Sequence, residues 1–509
     1  MGVMSSPSDK AFLGQPRGLS TLFFTEMWER FSFYGMRAIL MLFMTTAVVK
    51  GGLGFSPEQA GPIYAMYTSM VYLAAVPGGW LADNLLGQRR AVLYGGMIIM
   101  IGHVLLALHG LEFFYAGLCC VVMGTGLLKP NISVIVGSLY AAEDKRRDAG
   151  FSIFYMGINL GAFSAPLVCG WLAQSAKFKS ILGGMGFTPE NSWHWGFGAA
   201  AVGMFFGILQ YVFTSKSLGD AGQLSARARE PENQSKARKT FKLWGSTFLL
   251  LLLVAGLVLM HWPHLATSNN IKGAFSIVLF SVVVTFFGKL LLDASFTKAE
   301  RARLLTILVL FCGASVFWGI FEQAGSTLTL FAERNTHNEI FGFAFPSAFW
   351  QSVNAALLVL FAPVFAWLWQ ALDKRDPSVP TKFGFGIFFA GLGFAVLALG
   401  ASLAMGGERV SPLWLFSVYA LHTIGELCLS PVGLSSMTKL APTRVVSLMM
   451  GVWFLATAVG NFLGGSVSGY YEHFELPTLF ALVAMSGIVM SILMFALVRP
   501  IKRMLERAG

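Results

Sequence analysis

This sequence predicts an all-α polytopic membrane protein, and three observations carry that fold class. Of its 509 residues 55% are hydrophobic and only 12% charged, where a soluble domain carries about 25% charged residues. Apolar runs long enough to cross a hydrocarbon core roughly 30 Å thick recur from Leu19 to Val498. The basic residues, finally, are distributed asymmetrically between alternate connecting segments.

In chain order the expected spans are 19–48, 59–82, 91–110, 112–139, 149–173, 195–214, 243–261, 271–292, 303–332, 346–371, 382–403, 412–438, 446–470 and 476–498. That is an even count of 14. With the N-terminus inside, the outer segments hold only Lys50, Lys177, Lys179, Lys272, Arg334 and Arg409 of the 36 Lys and Arg. Groups such as Arg89-Arg90, Lys145-Arg146-Arg147, the Lys216–Lys242 loop and the Arg499–Arg507 tail then fall inside. Cytoplasmic loops retain Lys and Arg, so both chain ends are expected in the cytoplasm; the membrane itself is expected to be the inner (cytoplasmic) one.

The stretch from Ser215 to Lys242 is charged, contains Pro231 and reads as a flexible cytosolic connection. It divides the chain into residues 1–214, an N-terminal six-helix bundle; 215–302, a linker with two additional transmembrane helices; and 303–509, a C-terminal six-helix bundle with a cytosolic tail. The leader Met1–Pro16 is short and polar and runs into an apolar segment too long for a signal peptide, so the first helix is expected to be retained. Cys119, Cys120, Cys169, Cys312 and Cys428 all lie in apolar runs without CxxC spacing, which favours core thiols over disulfides or a metal site. The net charge of +11 is dispersed over short connections, which argues against nucleic acid as a partner.

Two six-helix halves suggest the major facilitator fold, in which a central site lies between bundles that rock against each other. The loop Gly79-Trp80-Leu81-Ala82-Asp83-Asn84-Leu85-Leu86-Gly87-Gln88-Arg89-Arg90 resembles that superfamily's GxLaDrxGrr motif. Asp83, Arg89 and Arg90 are accordingly candidates for a gating loop.

Charges inside the spans point to function. Glu26, Glu29, Arg30 and Arg37 lie in the first span, Lys129 in the fourth, Glu322 in the ninth and Glu426 in the twelfth. Each would cost about 2.5 to 3.5 kcal/mol at a helix centre, so each implies a partner, water or a ligand inside the bundle. At ~100° per residue, Glu26, Glu29, Arg30, Phe33, Tyr34 and Arg37 share one face of their helix. Glu26 and Arg30 are spaced to pair within that helix, which would leave Glu29 to Lys129 or to a proton and Arg37 to an acid from another helix. A permanent ion-pair network that only holds helices together is the competing reading. In the twelfth span His422, Glu426 and Ser430 recur every fourth residue before Pro431, an expected kink. In the ninth, Trp318 and Glu322 have the same spacing and precede Gly325.

These residues resemble a known pattern. Glu26-Met27-Trp28-Glu29-Arg30-Phe31-Ser32-Phe33-Tyr34-Gly35 is similar to the ExxERFxYYG signature of proton-dependent oligopeptide transporters. Phe151–Gly161 resembles that family's second signature, and Gly126-Leu127-Leu128-Lys129-Pro130-Asn131 its lysine-bearing motif; Trp318–Gln323, Trp350–Asn354 and Gly425–Pro431 match as well. The added helical pair is similar to that of bacterial members.

The resemblance implies inward symport of di- and tripeptides with protons, which serve as coupling ion, and no other cofactor or metal. It implies proton coupling through Glu26, Glu29 and Arg30 with Lys129, and through Glu322 paired to Arg37. Arg37 and Lys129 would receive the peptide carboxylate and Glu426 the amino terminus. Tyr34, Tyr72, Asn159, Asn354 and Ser430 would supply hydrogen bonds, and Trp318, Phe321 and Trp453 side-chain pockets. Phe33 departs from the signature's first tyrosine and leaves the pocket more apolar.

A same-fold proton symporter for nitrate or another small non-peptide solute is the alternative, but it does not need acids at both Glu322 and Glu426. No GxxxxGK[ST] motor is present, and His103, His194 and His422 lack the paired spacing of haem ligands, so neither a nucleotide-driven pump nor a membrane enzyme is indicated. Beyond the bilayer no obligate protein partner is called for, and the chain is expected to work as a monomer.

Overall fold

The computed structural model describes residues 11–508 other than Ala142 and Ala266, and the side chains of 252, 374, 434, 438, 443, 447, 450 and 505–508 are outside that description. The first ten residues of the leader, and with them the reading that it is no signal peptide, lie outside the described residues, as does the Arg507 side chain.

Each expected span meets a helix, numbered here α1 to α14: α1 Gly18–Thr45, α2 Pro57–Leu73 continued by Ala75–Leu81, α3 Gln88–Leu106, α4 Leu111–Ser138, α5 Arg147–Gln174, α6 Ser192–Thr214 and α7 Pro231–His261. There follow α8 Ser268–Leu292, α9 Lys298–Phe321 continued by Thr327–Asn335, α10 Trp350–Leu372, α11 Val379–Ala404, α12 Pro412–Leu440, α13 Met449–Ser468 and α14 Leu476–Ala508. Backbone N–H and C=O groups in lipid must be paired within the segment, which is why the apolar runs become helices. By length and hydropathy alone, 12 helices among the described residues qualify as membrane spans. The two that do not are α1, which carries the charges of the signature, and α2, which is interrupted.

Two spans expected to be continuous are broken. In α2 the break at Ala74 is four residues or fewer before Pro77, whose ring clashes with the carbonyl of Leu73 and whose nitrogen donates no hydrogen bond. In α9 the helix tightens into a 3-10 turn over Glu322–Gly325 and restarts after Ser326. Pro431, in contrast, leaves α12 helical through to Leu440.

The Ser215–Lys242 connection is more ordered than its composition predicts. Ser215–Leu218 forms a 3-10 turn, Ser225 caps the short helix Ala226–Arg229, and Pro231 occupies the first turn of α7, where its fixed φ suits helix entry. α7 is thus 31 residues long, about 47 Å, more than the hydrocarbon core requires. Its apolar side chains and those of α8, among them Phe248, Leu249, Leu251, Ile277 and Val284, are exposed as lipid-facing residues are.

By backbone packing the chain forms two compact units. The first comprises Met1–Met36, Leu73–Ala165 and His194–Phe275, and includes a core of Leu22, Ile99, Leu128, Ile132, Phe154 and Met204. The second comprises Arg37–Tyr72, Pro166–Trp193 and Ser276–Gly509, with Phe317, Phe331, Phe383, Phe394 and Phe480 fully buried. The division falls within α1, between Met36 and Arg37.

Candidate functional site

In the first unit the charges of α1 form one buried cluster. Glu26, Glu29 and Arg30 are 3%, 0% and 3% exposed. The Arg30 guanidinium donates from Nε to the Glu29 carboxylate and lies 3.1 Å from Glu26 Oε1. One cation is therefore shared by two acids, where the spacing had suggested a separate Glu26–Arg30 pair and a free Glu29. Lys129, half-buried on α4, contributes its attractive charge to Glu26. Glu26 Oε2 and Glu29 Oε1 are buried with no hydrogen-bond donor among the described residues. A buried carboxylate oxygen without a donor is costly as an anion.

Two further features shape that cluster. Phe33 places its ring 5.3 Å from the Arg30 guanidinium, so the residue that departs from the signature supplies a cation–π face rather than only an apolar wall. Gly161, in the second signature, faces α1 so closely that a Cβ there would press on the Met27 carbonyl and lie 3.0 Å from Arg30 Cβ. Its missing side chain lets α5 reach the cluster. Tyr34 is half-buried edge-on to Phe33, and Asn159 donates its amide to the Tyr155 carbonyl at 2.9 Å.

The candidate gating-loop residues Asp83 and Arg89 contact neutral groups. Asp83 accepts from the Gln88 amide at 2.7 Å, and Arg89 donates to the Ala221 carbonyl at 2.6 Å and to that of Gly219. Arg90 is exposed. Arg89 thereby fastens the start of the connection after α6 to this loop.

In the second unit Arg37 and Glu322 form a buried ion pair, Nη2 to Oε2, at 2.6 Å. The same Nη2 donates to the Glu322 carbonyl at 3.3 Å, and Nε donates to the Tyr64 hydroxyl at 3.0 Å. The 3-10 turn that begins at Glu322 is what brings both the backbone and side-chain oxygens of that residue to the guanidinium.

Glu426, also buried, is held differently. Asn354 on α10 donates to Glu426 Oε2 at 3.1 Å and to Thr423 Oγ1 at 3.0 Å. Its geometry is that of a carboxylate fixed by a neutral amide, and Ser430 follows one turn later on α12, half-buried. His422, which shares their spacing, is committed to packing: its Nε2 lies 3.2 Å from the Ala390 carbonyl on α11.

The second unit also holds close aromatic pairs. Trp318 meets Phe321 at 5.4 Å and Trp453 at 6.3 Å, both edge-on, and Tyr72 meets Phe454 at 6.3 Å. The Trp318 indole N–H is buried without an acceptor among the described residues. Tyr64, Thr423 and Phe454 were not anticipated. Tyr64 and Phe454 sit in helices where a neutral aromatic reads as packing, and Thr423 has no spacing signal apart from its neighbour His422.

Long apolar helices, with ion pairs and acids buried at unit cores, define a polytopic membrane transporter. The chain belongs to the POT family, whose model matches residues 89–482. It is 40% identical to the peptide transporter YePEPT of Yersinia enterocolitica over 99% of this chain and 98% of that one. It is 36% identical to the di-/tripeptide transporter of Lactococcus lactis subsp. lactis (strain IL1403), with 98% of each covered. A solved structure of the peptide transporter POT in complex with sulfate superposes with a TM-score of 0.87 at 40% identity, covering 97% of each chain. The fold is thus the major facilitator fold of that family, and the protein is a transporter rather than an enzyme.

Proposed function

We propose that this chain is a proton-coupled symporter that imports di- and tripeptides by alternating access. The observation that carries the reading is Glu426, a buried acid whose hydrogen-bond partner is a neutral amide, in the same unit as the Arg37–Glu322 pair. A zwitterionic peptide brings an ammonium for Glu426 and a carboxylate that competes with Glu322 for Arg37. Recognition of the two ends makes the side chains secondary. Lys129 is assigned as the second cation for the carboxylate, on the family pattern. The names of the Yersinia and Lactococcus relatives support the substrate class.

Protons enter this scheme at the Glu26–Glu29–Arg30 cluster and at Glu322. Protonation of Glu322 removes the charge that holds Arg37, which frees the guanidinium for peptide. Tyr34, Tyr72, Asn159, Asn354 and Ser430 serve as hydrogen-bonding groups, Trp318, Phe321 and Trp453 as side-chain contacts, and Asp83, Arg89 and Arg90 as a loop that responds to the inner gate. The working protein is a monomer in the inner membrane with both termini cytoplasmic, organised along the chain as bundles 1–214 and 303–509 joined by 215–302.

The test is uptake of labelled dialanine by proteoliposomes with and without an inward acid gradient. Accumulation stimulated by the gradient is expected, and the same vesicles bearing Glu29→Gln should exchange peptide while failing to accumulate it. No gradient-stimulated uptake across several di- and tripeptides would overturn the reading.

A further inference from the structure

The Arg37 guanidinium has five N–H donors fixed in a plane, and only part of that set is used by Glu322. The Glu322 carboxylate and carbonyl both take Nη2, at 2.6 and 3.3 Å, whereas Nε is directed at the Tyr64 hydroxyl, at 3.0 Å. Tyr64 is 1% exposed on α2, so its ring has no freedom to leave. The space for its hydroxyl is provided by Gly325, where a Cβ would collide with that oxygen and come within 2.7 Å of Arg37 Nε. Gly325 carries an ordinary negative φ, so the requirement there is close approach and not backbone conformation.

We propose that Tyr64 is a positioning residue for Arg37, a proton-independent acceptor that keeps the guanidinium aimed when Glu322 no longer holds it. The inference rests on the symport reading above and deepens it. A protonated Glu322 is a far weaker acceptor for Arg37, and a flexible arginine released from it would have to be ordered again to meet a carboxylate. The phenol stays neutral through the transport cycle and spans none of that change. Three titratable groups face the pair, Tyr64 from α2 and Glu426 and Tyr419 from α12, while Arg37 and Glu322 act on each other from α1 and α9. Without the hydroxyl, Arg37 leans more heavily on its ion pair and carbonyl contact with Glu322, so parting the two takes a stronger acid drive.

The test compares wild type with Tyr64→Phe in the proteoliposome assay, measuring dialanine exchange affinity and gradient-driven uptake as functions of pH. Tyr64→Phe should weaken exchange affinity by about tenfold, the loss of one hydrogen bond to a charged group, and move the pH profile of uptake toward acid. A residue that merely packs would lower protein yield or melting temperature and leave the pH profile in place. Gly325→Ala, which displaces the same hydroxyl while retaining Tyr64, should move the profile in the same direction and serves if Tyr64→Phe does not fold. Wild-type accumulation together with an unshifted profile in the folded variant overturns the inference alone. Absence of wild-type accumulation overturns the symport reading, and this inference with it.

Discussion

A single carboxylate illustrates how much depends on its partner. Glu322 and Glu426 are both buried acids of the second unit, yet one faces a guanidinium at 2.6 Å and the other an amide at 3.1 Å. The first is already paired with a cation; the second is held by a neutral group. Glu426→Gln keeps the shape and the Asn354 contact while removing the charge. It should therefore weaken peptides with a free N-terminus by tenfold or more and leave their N-acetylated forms little changed. The check is competition by paired free and acetylated peptides for labelled dialanine exchange; equal loss for both would reject the amine assignment. Glu29 differs again, since it shares Arg30 with Glu26 and keeps one oxygen without a donor among the described residues.

At the scale of an element, α9 combines a strong start with a functional interruption. It opens on a capping box: the Glu300 N–H donates to Thr297 Oγ1 at 3.2 Å and the Thr297 N–H to Glu300 Oε2 at 2.8 Å. Arg444 reaches the same Glu300 carboxylate at 3.1 Å, which ties the start of α9 to the turn before α13. Thr297→Ala removes one of the two reciprocal bonds and should cost about 1 kcal/mol, the usual worth of such a cap. A lowered melting temperature of the detergent-solubilised protein, with dialanine exchange affinity unchanged, is the expected result; no shift in melting would show that the cap is dispensable here. About 36 Å further along, by helical rise, the regular bonding is given up at the Glu322–Gly325 turn, where Arg37 and Tyr64 converge. The break in α2 goes with Pro77, whereas the turn in α9 has no proline and carries Glu322.

For the whole molecule, the arrangement of basic residues predicts which face meets which compartment. A membrane-impermeant amine reagent added outside intact cells should modify Lys177, which is exposed on the short helix Ala176–Gly184, and should spare the exposed Lys236 and Lys239 at the start of α7. The pattern is read by mass spectrometry of the purified protein, and the reverse labelling would invert the topology. Much of this scale was legible beforehand. Apart from the start of α7 and the end of α14, the 14 spans were located to within a few residues, because the length of an apolar run and the thickness of a bilayer are one-dimensional quantities. The α7 start was misjudged by twelve residues, because a charged sequence reads as a loop although helical hydrogen bonding does not require apolar side chains.

The candidate site was legible in part. Charges as expensive as Glu26, Glu29, Arg30, Arg37, Lys129, Glu322 and Glu426 stand out in apolar runs, and the family resemblance suggested that Arg37 would meet Glu322, 285 positions away. What the sequence determined by itself was therefore the membrane fold, the number of crossings and the identity of the buried charges. Only the tertiary structure decided how those charges are shared: Arg30 between two acids, Arg37 between Glu322 and Tyr64, Glu426 with Asn354. Burial cost depends on a residue's own chemistry, whereas a hydrogen bond depends on ångström-scale distances between helices, and those are set by packing.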